Sequence, residues 1–367
     1  MKGPNPRPGV LDISPYVPGP DGVDGERAAY KLSANESALG CSPRAIEAFR
    51  AAGSELHVYP DGSAAALRDA IARVHGLDPR RIVCGAGSDE ILQLIARAYL
   101  GPGDAMVQTA HGFLVYELAA TACGARTIKA PERRFTADVD AILECIDEST
   151  RIVFLANPNN PTGTFLPDSE IRRLRESLAD DVLLVVDCAY AEYMDAPEYG
   201  DPSRLVDDFG AIAGNVVVTR TFSKIYGLGG LRLGWGYCPT NVADVLNRIR
   251  GPFNISAPAI AAGVAAMEDQ EFVERNRAHN SVERARLQQR IGGLGLDFVP
   301  SVANFILVRF ADEGERTAAA ADAFLASRGI MVRRVGAYGL PDFLRVSIGS
   351  TDANDAFLGA LDEFVAT

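Results

Sequence analysis

A chain of 367 residues exceeds the usual size of one domain and predicts two folding units on one polypeptide. With 47% hydrophobic and 23% charged residues it can bury a large core, which excludes a disordered or fibrous chain. A net charge of -12 repels polyanions and disfavours nucleic acid as a partner, and the longest aliphatic run, Val182 to Val186, is far too short to span a bilayer.

In chain order, the first 55 residues are rich in Pro and Gly, with six prolines between Met1 and Pro20 and no apolar signal-like run. They are expected to wrap one domain and return to the other, in an unexported, cytoplasmic protein. From about Arg81 to Pro239 short apolar runs alternate with helical patterns. Strands are predicted at Ile82–Cys84, Ala105–Thr109, Arg126–Lys129, Ile152–Ala156, Leu183–Asp187, Val216–Thr219 and Leu233–Tyr237. Helices are predicted between them at Asp89–Leu100, Phe113–Cys123, Val139–Ile146 and Ser169–Leu178. That order implies an α/β fold with a mainly parallel, seven-stranded sheet between helices, whose ligands bind at the carboxyl ends of the strands.

After Pro239 the pattern changes to helices at Val242–Ile249 and roughly Ala257–Ile291, then Asn304–Val308, a helix near Thr317–Ser327, and Leu344–Ile348. This reads as a smaller α+β domain. The expected division is 1–55 as an arm and part of the small domain, 56–240 as the large domain, and 241–367 as an interdomain helix and the rest of the small domain.

Six scattered cysteines without a C-x-x-C pair, four of them in apolar segments, fit a reducing compartment. The four histidines lack H-x-x-x-H or H-E-x-x-H spacing, so no metal is expected. Only Lys2, Lys31, Lys129 and Lys224 are lysines; every other basic residue is arginine. Chemistry that needs a lysine amine therefore has few candidates.

Lys224 is the outstanding one. It follows the strand Val216–Thr219 within Thr221-Phe222-Ser223-Lys224, eight residues before Arg232. An amine there can form a Schiff base with an aldehyde while Thr221, Ser223 and Arg232 hold a phosphate. A lone loop lysine is usually just solvated, but the flanking hydroxyls and arginine outweigh that reading. Asp187 ends a strand predicted to be buried, where an unpaired carboxylate is costly, so it should face a cation. A protonated pyridine nitrogen would serve, with Tyr190 three residues on reaching the ring's phenolic oxygen. The competing role for Asp187, a helix N-cap, lacks a following helical run. Asn160 lies in the turn Asn157-Pro158-Asn159-Asn160-Pro161-Thr162-Gly163 after another strand, where it can donate inward. Gly85-Ala86-Gly87-Ser88-Asp89-Glu90 joins a strand to a helix beginning near Glu90, and its free N–H groups can bind phosphate. This turn fails the dinucleotide fingerprint, and no Walker A, G-x-S-x-G or S-x-x-K sequence is present, which disfavours NTPase, nicotinamide and serine-hydrolase chemistry.

Together these motifs resemble the pyridoxal-phosphate aminotransferases of fold type I, in the histidinol-phosphate branch. Pro15-Tyr16-Val17-Pro18-Gly19, Leu32-Ser33-Ala34-Asn35-Glu36-Ser37, Tyr59-Pro60-Asp61-Gly62, the Asn-Asn-Pro-Thr-Gly loop, the lysine loop and Gly339-Leu340-Pro341-Asp342-Phe343-Leu344-Arg345-Val346 look like that branch in order, over nearly the whole chain. The resemblance implies Lys224 as Schiff-base lysine and acid/base, Asp187 as partner of the pyridine nitrogen, and Asn160 and Tyr190 on the phenolic oxygen. It places the phosphate of pyridoxal phosphate on Ser88, Asp89, Thr221, Ser223 and Arg232, with Tyr59 reaching across from the second subunit of a homodimer. Phe113 would stack on the ring; its plainer role is core packing. Tyr16, Asn35, Arg333 and Arg345 would contact substrate, Arg345 the carboxylate of glutamate and Arg333 with Tyr16 the phosphate of histidinol phosphate. His111-Gly112-Phe113 departs from the Pro-Thr-Tyr or Pro-Thr-Phe of many relatives. Aromatic amino-acid transamination, decarboxylation of an amino-acid phosphate, and a non-catalytic regulator of the same fold are the rival functions.

Overall fold

The computed structural model describes residues 6–15, 22–23, 26–210 and 214–366. A two-residue strand, β1 (Tyr30–Lys31), and the helices α1 (Pro43–Ala52) and α2 (Ala65–His75) precede the main sheet. Its strands are β2 (Ile82–Gly85), β3 (Ala105–Thr109), β4 (Arg126–Ala130), β5 (Thr150–Ala156), β6 (Leu183–Asp187), β7 (Val216–Thr221) and β8 (Gly234–Tyr237). Between them lie α3 (Ser88–Tyr99), α4 (Leu114–Ala122), α5 (Val139–Glu144), α6 (Asp168–Ser177) and α7 (Ser203–Asp208). The strands lie in the order β2-β8-β7-β6-β5-β3-β4. Only β8 runs antiparallel to its neighbours, so the mainly parallel seven-stranded sheet is present.

Both faces of the sheet are covered, and the period-two geometry of a strand divides its residues between two cores. Val153, Leu155, Leu184, Val186, Val216 and Val218 enter one core. Their immediate neighbours Ile152, Phe154, Leu183, Val185 and Val217 enter the other. This is why β5 to β7 read as continuous apolar runs.

The chain continues through α8 (Thr240–Ile249), α9 (Ala257–Glu268) and α10 (Gln270–Gly293), then β9 (Phe298–Val299), β10 (Phe305–Arg309), α11 (Ala318–Ser327), β11 (Ile330–Met331), β12 (Arg333–Val335), β13 (Leu340–Ser347) and α12 (Thr351–Ala366). An antiparallel sheet forms in the order β9-β10-β13-β12, and β11 pairs in parallel with β1. Leu32 shares a separate core with Ile306, Val346 and Phe357, so the N-terminal segment joins the C-terminal one.

Four expectations are corrected. The helical stretch 257–291 is two helices, broken at Asp269, whose carboxylate caps α10 by accepting from the Phe272 N–H and also takes the Ser42 hydroxyl. The first 55 residues contain α1, capped by Ser42, whose Oγ accepts from Arg44 N at 3.1 Å. Its apolar Ile46 and Phe49 face outward, which hides the inward stripe that betrays a helix. The helix expected near Glu90 starts at Ser88, and the last sheet strand starts at Leu340 rather than Leu344.

Candidate active site

The carboxyl ends of β2, β5, β6 and β7 open on one cavity of about 320 Å³. Lys224 lines it from the loop after β7, partly exposed to the cavity. Burial, reinforced by the nearby Arg345 guanidinium, brings its ammonium down to a pKa of about 8. Its Nζ donates to the Ala34 carbonyl at 3.2 Å and sits 5.7 Å from the centre of the Tyr190 ring. Gly227 holds this loop in place: at φ 68 it turns back so closely that a Cβ would meet the Gly40 carbonyl oxygen at 2.0 Å. Only glycine fits.

Asp187 ends β6 at 5% exposure and caps no helix; a short 3-10 turn follows it only from Ala191 to Tyr193. Its Oδ2 accepts from the Tyr116 hydroxyl at 2.8 Å and its Oδ1 from the Thr219 hydroxyl at 2.9 Å. Burial nevertheless lifts its pKa to about 6, because two hydroxyls offset only part of the lost hydration. Ionising such a carboxylate costs more than it would in water, so it strongly favours a cationic partner in the cavity.

At one end of the cavity, α3 begins beside Thr221, Ser223 and Arg232. No side chain caps the first turn of α3, which leaves its N–H groups for an anion. A Cβ on Gly234 would lie 2.2 Å from Ser88 N, and one on Gly87 2.6 Å from an Arg232 nitrogen. These two glycines let the turn and Arg232 converge. The Asp89 carboxylate pairs with Arg232 at 3.2 Å, so its side chain neutralises the arginine and only its N–H can serve an anion. Arg232 itself adopts a left-handed backbone, φ 53.

Arg333 on β12 and Arg345 on β13, paired in register, line the cavity from the smaller sheet. Arg345 is 7% exposed; its Nη1 donates to Asn160 Oδ1 at 2.5 Å and its Nη2 to the Ser33 carbonyl at 2.9 Å, while Nε has no partner. No carboxylate among the described residues pairs with it, so an anion is what this buried cation lacks. Because Arg345 occupies Asn160 Oδ1, the Asn160 amide is left as a donor. Asn35 is buried in the cavity wall, donating to the Tyr190 hydroxyl at 3.0 Å and accepting from Ser347 at 3.1 Å. Phe113 lines the cavity as the residue before α4 and meets Tyr116 edge-on at 5.8 Å.

Fourteen of the fifteen residues singled out by sequence are described, and thirteen of these line this cavity, with Tyr59 the exception. Tyr59 lies outside the cavity, 79% exposed and stacked on Phe253 at 4.7 Å. Tyr16 lies outside the described residues.

A family model described as "Aminotransferase class I and II" matches residues 28–361. The chain belongs to this aminotransferase family. Histidinol-phosphate aminotransferases of Paramagnetospirillum magneticum and Rhodospirillum centenum are each 54% identical to it over 365 residues, covering 100% of this chain and 99% of theirs. The crystal structure of histidinol-phosphate aminotransferase from Sinorhizobium meliloti in complex with pyridoxal-5'-phosphate superposes with a TM-score of 0.86 at 29% identity, covering 93% of this chain and 92% of that one. The aminotransferase is thus a fold type I enzyme that depends on pyridoxal phosphate.

The residues of this aminotransferase fit that cofactor. An anion cradle, an amine facing the cavity and a carboxylate seeking a cation are the three groups that a phosphate, an aldehyde and a pyridine nitrogen require. Sequence reasoning missed Tyr116 and Thr219, which hold Asp187, and Lys31, which lines the cavity beside the arginines. Tyr116 sits at helical spacing and reads as core; Thr219, two residues before Thr221 on an inward-alternating strand, was the available signal. His111 is an anchor: its Nδ1 meets Glu132 Oε2 at 2.7 Å and its N–H donates to Oε1 at 3.0 Å, fixing the turn that delivers Phe113.

Proposed function

We propose that this aminotransferase exchanges the amino group of histidinol phosphate with 2-oxoglutarate, giving imidazole acetol phosphate and glutamate, in histidine biosynthesis in the cytoplasm. The observation that carries this reading is the pair Arg333 and Arg345, brought to the cavity by the smaller sheet in addition to the phosphate cradle. A substrate with an anion at its far end needs cations there, and arginine's fork serves both a carboxylate and a phosphate.

Pyridoxal phosphate, when bound, supplies the aldehyde that takes up the amine and the ring that spreads the electron pair left on the α-carbon. The chain's own residues do the rest. The N–H groups of Ser88 and Asp89, the hydroxyls of Thr221 and Ser223, and Arg232 hold the cofactor phosphate. Asp187 keeps the ring nitrogen protonated, and the Asn160 amide and Tyr190 hydroxyl hold the phenolic oxygen. Phe113 covers the ring. Lys224 is the amine that would hold the aldehyde, and it is placed to move the proton at the substrate α-carbon. A lysine with a pKa of about 8 has a usable fraction of free amine near neutral pH. Arg345 binds the carboxylate of glutamate, and Arg333 with Tyr16 the phosphate of the other substrate, with Asn35 in the wall between.

The enzyme works as a homodimer in which a second copy's Tyr59 completes the cofactor site. Leu39, Ile46, Phe49, Leu56, Val58 and Phe253 are exposed near Tyr59 in sequence or in space, and a surface this apolar calls for a partner. Residues 56–240 form the cofactor-binding unit, and 1–55 with 241–367 the remainder. The test is the absorbance change of the holoenzyme on mixing with histidinol phosphate, glutamate or phenylalanine, together with borohydride reduction and peptide mapping. Faster half-reaction with histidinol phosphate and a label on Lys224 support the reading; a preference for phenylalanine, or a label on Lys31 or Lys129, overturns it.

A further inference from the structure

The side of the cavity that bears the arginines holds a third cation. Lys31 lines it, delivered by the parallel pairing of β1 with β11, in which Lys31 lies opposite Met331. Tyr30 N donates to the Gly329 carbonyl at 3.0 Å and Leu32 N to the Met331 carbonyl at 2.7 Å, so this placement is fixed by backbone on both sides of Lys31. Arg333 is two residues beyond Met331, and Arg345 is opposite Arg333 across β12 and β13. Three neighbouring strands thus bring three basic residues to one rim.

Lys31 pairs with Glu36 at 3.2 Å, with the lysine side chain 30% and the glutamate 55% exposed. A pair so open to water is weak, and a more highly charged anion can displace its carboxylate. A phosphate monoester is such an anion: it carries a charge of about -1.5 to -2 near pH 7 and presents three acceptor oxygens. One arginine neutralises at most half of a dianion. Arg345 is already committed to Asn160 and Ser33 on two of its nitrogens.

We infer that Lys31 is a specificity-determining residue, whose ammonium leaves Glu36 to form, with Arg333, a two-cation seat for the phosphate of the substrate. The inference rests on the proposed reading of the site and adds to it the residue that separates phosphorylated from unphosphorylated amines. Glu36 is a counter-ion of Lys31 when that seat carries no phosphate.

The test compares the parent holoenzyme with Lys31→Gln and Glu36→Gln, using steady-state kinetics with histidinol phosphate and with phenylalanine and inhibition by inorganic phosphate. Bound cofactor keeps inorganic phosphate out of the Ser88 cradle. The expected result for Lys31→Gln is a rise in KM for histidinol phosphate and in the phosphate inhibition constant of about tenfold or more, with any change for phenylalanine at least several-fold smaller. Glu36→Gln, which frees the ammonium, should tighten phosphate inhibition. Equal losses for both substrates in Lys31→Gln, or a phosphate inhibition constant unmoved in both variants, overturns the inference. A parent enzyme that ignores histidinol phosphate would refute the proposed function instead, and the phosphate-inhibition arm would still decide the role of Lys31.

Discussion

Replacing Tyr116 with phenylalanine removes one oxygen, the donor to Asp187 Oδ2 at 2.8 Å. The ring stays stacked on Phe154, 4.8 Å between centroids and 8° from parallel, so packing is retained. A hydrogen bond to a charged group is worth about 1.5–3 kcal/mol, or about one to two pKa units. Tyr116 holds the Asp187 pKa down against burial, so the variant raises it from about 6 to about 7–8. At pH 7 the ionised fraction falls from roughly nine-tenths to between about a half and a tenth. Only the ionised carboxylate can pair with a protonated ring nitrogen, so apoenzyme should bind pyridoxal phosphate about two- to tenfold more weakly at pH 7. The penalty should fade above about pH 9, where Asp187 is ionised in both proteins. Absorbance titration of apoenzyme with cofactor from pH 6 to 9 measures this. A dissociation constant equal to the parent's at pH 7, or a deficit that does not change with pH, would refute the assignment of Asp187 as the cation-seeking group.

Three further outcomes are expected. Asp187→Asn should abolish most turnover yet stabilise the apoenzyme. A carboxyl whose folded pKa is about 6 instead of the usual 3.8 binds more protons folded than unfolded between those values, so its ionisation costs stability as pH rises through that window, up to about 3 kcal/mol. Thermal denaturation of the apo forms at pH 7.5 and pH 4 checks this, since the gain should be present at the first and nearly gone at the second. Arg345→Leu removes a positive neighbour of Lys224 and should move the pKa of that amine upward from about 8; the pH dependence of cofactor capture by apoenzyme measures it, and a downward or absent shift contradicts the electrostatics. Phe49→Asp places a charge on the exposed face of α1, and sedimentation should show monomers with low activity. A fully active monomer would remove Tyr59 from the site.

The legible parts of the fold were those whose residues answer to a single environment. The boundaries of Leu183–Asp187 were readable because both faces of that strand are buried, so every position is apolar until the carboxylate. Helix α1 was not, because its outward Ile46 and Phe49 spread apolar residues over more than the inward face. The long stretch 257–291 looked continuous because a capping aspartate differs from a helical one only in what its carboxylate touches. In the site, the loop lysine and the strand-end aspartate stood out because each is chemically out of place in its local sequence. Tyr116 and Lys31 did not, since an aromatic at helical spacing and a lysine beside a glutamate are locally ordinary; only the tertiary fold gives them a shared cavity.

The short segment 33–36 touches almost everything that matters. Its Ala34 carbonyl receives the Lys224 amine, its Ser33 carbonyl receives Arg345, and Asn35 is held by Ser347 of the antiparallel sheet and by Asn304 just before it, while holding Tyr190. The reacting amine is therefore tethered, through one carbonyl, to backbone that travels with the smaller sheet. Any displacement of that sheet relative to the larger one changes what Lys224 is bonded to, so the reactivity of the amine and the relative placement of the two sheets share one mechanical coordinate.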